Sequence, residues 1–276
     1  MNVLKKRLLT ACVAIPLVWL AIFKVPAFSF SLIVLIFMLL AAHEWTLLVG
    51  VSSRLFKLFF SLAIILTCML SAYFMWAACA LLCLSLFVWL WLFIAVVTYN
   101  RSLNVCGIDS HVLRAVMGWI ILSSGWLSFT ILKINPHAGP IWLLYVCLVA
   151  WTVDSAAYFV GRAAGSTPLA SRVSPKKTWE GLFGGMVAVL VLVIVAAFFL
   201  PGLSGHRLSF AMVSLLVALM SIFGDLSVSF LKRLAGVKDT GTFFPGHGGI
   251  LDRIDSLLPA LLIFALATVF FNLWST

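Results

Sequence analysis

The stretch Leu58–Asn100, LFFSLAIILTCMLSAYFMWAACALLCLSLFVWLWLFIAVVTYN, contains no charged side chain. A helix crossing the hydrocarbon core of a bilayer needs about 20 mostly apolar residues. The run is too long for one crossing, so the chain must break near Ser71–Ala77 and cross twice. The rest of the chain has the same character. Of its 276 residues 64% are hydrophobic and 9% charged, with a mean hydropathy of +1.21. Soluble domains carry roughly 45–50% apolar and about 25% charged residues. The expected fold class is therefore all-α: a polytopic integral membrane protein with about nine transmembrane helices, eight to ten being compatible with the length.

Nine apolar cores are expected, at 8–24, 27–43, 55–75, 77–98, 112–132, 141–161, 182–201, 208–230 and 257–274. The N-terminal MNVLKKRLLTACVAIPLVWLAIF resembles a signal peptide but lacks a small-x-small cleavage site, so it reads as an uncleaved first span. The tight turn at Lys24–Val25–Pro26 also allows the first two spans to form a hairpin that does not fully cross. Charge counting then sets the orientation. With nine spans and a cytoplasmic N-terminus, one side holds Lys5, Lys6, Arg7, Arg54, Lys57, Arg101, Arg114, Arg162, Arg172, Lys176, Lys177, Lys232, Arg233, Lys238 and Arg253. The other side holds only Lys24, Lys133 and Arg207. Basic residues favour the cytoplasmic side, so the imbalance supports both the direction and the span count. The short loops suit a bacterial inner (plasma) membrane, with the polar site facing the cytoplasm.

The net charge of +10 is explained by these loops and by anionic lipid surfaces. Aromatic residues do not interleave with the basic ones, so no nucleic acid partner is expected. Of the six cysteines, Cys12, Cys68, Cys79, Cys83, Cys106 and Cys147, five lie in apolar runs without zinc-ligand spacing and read as small buried hydrophobes. Most of the 11 tryptophans read as interfacial belt and packing residues.

Polar chemistry is confined to the C-terminal half. The chain divides into an N-terminal transmembrane region, 1–135, acting as scaffold and lipid-facing wall, and a C-terminal catalytic region, 136–276, with cytoplasmic loops at 162–180 and 232–256. Ionisable groups beside lipid are costly and mark candidate sites. In Gly224–Asp225 through Lys232–Arg233, residues Asp225, Ser229 and Lys232 recur on one helix face. Asp225 needs a partner there, a divalent cation or Lys232. In Pro245–Gly246–His247–Gly248–Gly249 three glycines around a histidine allow a close backbone approach to phosphate. Asp252 and Asp255 follow at i, i+3 on the first turns of the last helix, either capping it or binding a ligand. Asp252 with Asp225 supplies the hard oxygens magnesium favours.

Ser174–Pro175 reads as a helix start, followed by Lys176, Lys177, Thr178 and Glu180. Cations at a helix N-terminus oppose its dipole. They serve either an anion or a positive-inside anchor. Asp154, inside a span with Tyr158 one turn on, is an intramembrane acid and a further site candidate. Glu44, at a span end, reads as a cap or interfacial group, and His111, His137 and His206 as loop or interface residues.

The pattern Ser229, Lys232–Arg233, Lys238–Asp239, Gly241, His247–Gly248–Gly249, Asp252–Arg253–Ile254–Asp255 resembles the signature of the phosphatidate cytidylyltransferases. Ser174–Pro175–Lys176–Lys177–Thr178–x–Glu180–Gly181 and Gly224–Asp225 resemble that family too. The resemblance covers roughly the C-terminal half. It implies transfer of CMP from CTP to phosphatidic acid, giving CDP-diacylglycerol and pyrophosphate. It also implies Mg2+, held by Asp225 and Asp252, with K+ as a possible companion, and a homodimer as a possible assembly. Lys232, Arg233, Lys238, Asp239, His247, Arg253 and Asp255 would complete the catalytic set with Asp225 and Asp252. Ser174, Lys176, Lys177, Thr178, Glu180, Ser229, Gly248, Gly249 and Asp154 would contact substrate. Two other readings remain: a cytidylyltransferase for an isoprenoid ether lipid, and a transporter of an anionic solute. The transporter is disfavoured by the gathering of charge at one membrane face and by the lack of inverted repeats.

Overall fold

The computed structural model describes residues 16–103, 105–136, 138–200, 203, 206–241, 243 and 248–271. Its helices are α1, described over 16–23, then α2 (Ala27–Val49), α3 (Arg54–Tyr73), α4 (Met75–Ser102), α5 (His111–Ile134) and α6 (Gly139–Ala164). Strands β1 (Pro168–Ala170) and β2 (Ser174–Thr178) precede α7 (Trp179–Phe199), α8 (Arg207–Leu234), the short α9 (Leu251–Ile254) and α10 (Leu257–Phe271). The chain is an all-α polytopic membrane protein. Among the described residues seven helices, α2 to α8, are long and apolar enough to cross a bilayer, and α10 is apolar over its 15 residues. Of the expected first span, 8–24, residues 16–23 are helical as α1, and 8–15 lie outside the described residues.

The charge-free run breaks at Phe74, whose φ of −115° and ψ of 111° are extended, inside the interval where two crossings required it. Helices α5 and α8 are the most enclosed of the spanning helices, and α3 and α7 the least. Helix α5 packs against α2, α3, α4, α6 and α10, and α10 also packs on α8. The exposed side of α3 and α7 is aliphatic and aromatic, for example Phe59, Leu62 and Leu66 on α3 and Phe183, Val187 and Val191 on α7. That is the composition a lipid-facing surface requires.

Between lipid-facing helices there is little hydrophobic drive to associate, so close backbone approach does the work. Helices α6 and α7 meet along such a seam. A Cβ on Gly181 would lie 2.7 Å from the Ala157 carbonyl oxygen, and one on Gly185 would lie 2.9 Å from that of Val153. The seam pins the start of α7, and with it the hairpin before it, to the end of α6.

Ser174–Pro175 does not start a helix. Ser174–Thr178 is a strand paired antiparallel to β1, with Pro168 opposite Thr178 and Ala170 opposite Ser174. Helix α7 begins only at Trp179, where the Thr178 Oγ1 accepts the Gly181 N–H at 3.1 Å. Lys176 and Lys177 therefore ride on a strand that runs into the N-terminus of α7. Ser is intrinsically the better cap, so capping preference does not decide the start; pairing with β1 holds Ser174–Thr178 extended, and the cap falls to Thr178 where that pairing ends.

Two cations expected to be membrane-face anchors are buried helix braces. The Arg114 guanidinium donates to the carbonyls of Ile108 (2.6 Å), Leu48 (3.1 Å) and Asp109 (3.4 Å). The Lys133 ammonium donates to the Ile22 carbonyl and lies 5.2 Å from the centre of the Phe30 ring. His111 Nδ1 hydrogen-bonds the Val49 carbonyl at the end of α2.

Candidate active site

The ends of α6 and α8, the strand β2 with the start of α7, and the segment around α9 enclose a cavity of about 590 Å3. Its charged lining comprises Asp154, Lys176, Lys177, Asp225, Lys232, Asp239, Asp252, Arg253 and Asp255. Its apolar lining comes from Trp151, Ala157, Tyr158, Leu169, Leu182 and Ile222, and Thr178, Gly181 and Ser256 complete it. Residues far apart in sequence thus converge at one end of the bundle.

Two ion pairs organise the charge. Lys177 Nζ lies 2.7 Å from Asp225 Oδ2, and Lys232 Nζ lies 2.8 Å from Asp252 Oδ1. Asp225 does have a lysine partner, but it comes from the hairpin; Lys232, on its own helix, turns to Asp252. Ser229, one turn on from Asp225 as its spacing requires, donates to Asp225 Oδ1 at 3.2 Å. Asp252 Oδ2 also accepts the N–H groups of Thr240 and Gly249, both at 3.0 Å. Burial works to raise the Asp252 pKa, but Lys232 and these two N–H donors outweigh it and hold the carboxyl below its ordinary value. Asp255 goes the other way: burial, and then the nearby charge of Asp225, push it well above the ordinary carboxylate range.

Asp252 and Asp255 are not on the first turns of the last long helix. Asp252 lies in the single turn α9, and Asp255 sits between α9 and α10, accepting the N–H of Ser256 at 2.8 Å. Other expected residues stand outside the cavity lining. Arg233 donates to the Val173 carbonyl at 3.2 Å and ties α8 to the hairpin. Glu180 accepts from Ser166 Oγ at 2.7 Å and the Thr167 N–H at 3.1 Å, bracing the hairpin's entry. Ser174 lies in β2, and Lys238 is exposed. Gly248 has φ +82°, the left-handed region that favours glycine, and a Cβ there would fall 2.6 Å from Asp252 Oδ2. His247 lies outside the described residues.

Two residues of the N-terminal half that the sequence did not single out for chemistry hold the site loops. Asn100 Oδ1, near the end of α4, accepts the Arg172 N–H at 3.1 Å and Ser171 Oγ at 3.4 Å. Glu44 is neither a cap nor interfacial. It is buried within α2, which runs six residues past its expected end at 43, and it accepts hydrogen bonds from residues 240, 250 and 251. The signal was present: an acid among Leu39, Leu40, Ala41 and Ala42 is as anomalous as Asp154. Asn100, a neutral amide at a helix end, left no such signal.

Asp225 and Asp252 present hard carboxylate oxygens to the cavity. Two such ligands fit a magnesium ion that completes its shell with water and phosphate oxygens. Among the described residues no group of three or more His, Cys, Asp or Glu side chains is arranged to hold a metal alone.

The model of the cytidylyltransferase family matches residues 5–271. The phosphatidate cytidylyltransferase of Pseudomonas aeruginosa is 34% identical over 262 residues, covering 95% of this chain and 96% of that one. Those of Haemophilus influenzae and Helicobacter pylori are 46% and 37% identical, over 48% and 60% of this chain and 46% and 60% of theirs. A match over nearly the whole chain, joined to a cavity that gathers the signature lysines and aspartates, places this chain in the cytidylyltransferase family.

Proposed function

We propose that this protein is a CTP:phosphatidate cytidylyltransferase, transferring CMP from CTP to phosphatidic acid and releasing pyrophosphate and CDP-diacylglycerol. The observation that carries the reading is the divided lining of this cavity, charged on Lys176, Lys177, Lys232, Arg253 and the aspartates, apolar on Trp151, Tyr158, Leu169, Leu182 and Ile222. Such a lining suits a substrate pair of which both members carry phosphate and one carries acyl chains. The names of the relatives favour phosphatidate over an isoprenoid ether lipid.

The chemistry asks little covalent work of the protein. An oxygen of the phosphatidate phosphate attacks the α-phosphorus of CTP, and the bond from that phosphorus to the bridging oxygen breaks as pyrophosphate leaves. What is needed is alignment and screening of charge between two polyanions. Lys176, Lys177, Lys232 and Arg253 supply positive charge on the cavity wall, lysine as a point charge and arginine as a two-pronged donor. Asp225 and Asp252 would hold Mg2+, which screens the phosphate charge and that of the leaving group. K+ is a further expected ion. Asp252 is held in place by two backbone N–H groups, so its carboxylate is oriented before substrate arrives. Lys177 and Lys232, each paired with a carboxylate, are the cations that phosphate groups would draw away.

The charge imbalance supports a cavity open to the cytoplasm, a cytoplasmic N-terminus and residence in a bacterial inner membrane. A second copy of the chain is a further expected partner, and membrane lipid covers the remaining apolar surface.

The test is purified protein in detergent with CTP, phosphatidic acid and Mg2+, following CDP-diacylglycerol and pyrophosphate. Wild type should turn over, and Asp252→Asn should be slower by about 100-fold or more. Equal rates would remove Asp252 from the site; no product from folded wild type would overturn the reading.

A further inference from the structure

We propose that Glu44 is a positioning residue of this active site: its buried carboxylate holds the loop around 240 and the segment 249–251 so that Asp252 faces the cavity. The inference rests on the cytidylyltransferase reading above.

Glu44 Oε1 accepts the Ile250 N–H at 2.9 Å, and Oε2 accepts the Leu251 N–H at 2.8 Å and the Thr240 hydroxyl at 3.1 Å. These partners are 196 to 207 residues away in sequence. Glu44 is 8% exposed and Thr240 fully buried. All three donors are neutral, and hydrogen bonds to an ionised acceptor are about twice as strong as neutral ones.

Two glycines of the signature make room for this carboxylate. A Cβ on Gly241 would come within 2.6 Å of Glu44 Oε1, and one on Gly249 within 2.3 Å of Oε2. Their small size is therefore explained by the acid from α2.

Asp252 grips the same two pieces of chain from the other side. It takes the Thr240 N–H where Glu44 takes the Thr240 hydroxyl, and the Gly249 N–H where Glu44 takes the next two. Both carboxylates thus share one small framework, but only Asp252 lines the cavity. A displacement of about 1 Å in a positioned group can cost about 100-fold in rate. For packing alone, an apolar side chain would serve at least as well as a buried acid.

The experiment compares steady-state kinetics of Glu44→Gln and wild type, both purified in detergent. The carboxamide keeps the shape but turns an NH2 toward one of the donors. The expected result is a rise in KM for CTP of about tenfold or more, with KM for phosphatidic acid within about twofold of wild type. A variant that merely contained less folded protein would lower kcat by no more than the missing folded fraction and leave both KM values alone; a kcat loss of only that size with unchanged KM values, or wild-type behaviour, overturns the proposal. Should Glu44→Gln not fold, Thr240→Val removes one of the three bonds and leaves the Thr240 N–H in place. It should raise KM for CTP by about three- to fivefold, and an unchanged KM overturns the proposal. Absence of product from wild type would instead strike at the reading of function.

Discussion

The two polar loops of the C-terminal half are held in opposite ways. The first, between α6 and α7, has a backbone ladder of its own, β1 on β2, and side-chain ties at the surface: Asn100 to residues 171 and 172, Glu180 to residues 166 and 167. The second, between α8 and α10, has no paired strands among its described residues and is held by Glu44 and Asp252, both shielded from water. The ion pairs differ in the same sense. Lys177 and Asp225 are 25% and 33% exposed at their side chains, Lys232 and Asp252 only 11% and 5%. Ties at the surface are cheap to lose, because water replaces what is removed. Buried ones leave an orphaned charge or donor.

The contrast can be broken by experiment. Chelation should have the largest effect: EDTA should reduce product formation to background and excess Mg2+ should restore it. Activity that survives chelation would free both Asp225 and Asp252 from metal binding. Next, Lys232→Met should destabilise the protein by about 3 kcal/mol or more, since it strands Asp252, read from unfolding in a denaturing detergent. The sign with pH follows. A carboxyl held below its unfolded value contributes stability above that value, about 3.9, and loses it as pH falls through the folded value. Removing Lys232 makes the contribution smaller and shifts its loss to higher pH, which an acid titration of stability would detect.

Gly249→Ala should cost about 1–3 kcal/mol, because its Cβ meets the Glu44 carboxylate at 2.3 Å, and pairing it with Glu44→Gly should recover part of the loss in the same assay. Smallest should be Lys177→Met and Asn100→Ala, each within about 1 kcal/mol. If either matched Lys232→Met, the contrast between exposed and buried ties would fail.

Much of this could be read from the chain beforehand, and the parts that could not share a cause. Spans are set by local composition, and the run 58–100 announced its break, which the structure puts at Phe74. Asp225 and Ser229 were placed on one face by helical period alone, and they are hydrogen-bonded. Pairings across the fold were beyond reach. That Asp225 would choose Lys177 and leave Lys232 to Asp252 depends on where the hairpin lands, and Ser-Pro, which reads as a helix start, opens a strand here. Glu44 was visible as an anomaly, but its partners lie some 200 residues downstream, and no local rule joins them.

That separation also orders the protein's assembly. Ribosomes add about 5–20 residues per second, so roughly 10–40 s pass between synthesis of Glu44 and that of Ile250, its partner 206 residues on. For that interval α2 carries an acid without its final donors, in a membrane filling with later helices. A late segment closes the site and satisfies an acid laid down early. A chain halted before residue 250 would keep most of its spans yet expose an unsatisfied carboxylate, a mark by which quality control could tell an unfinished molecule from a finished one.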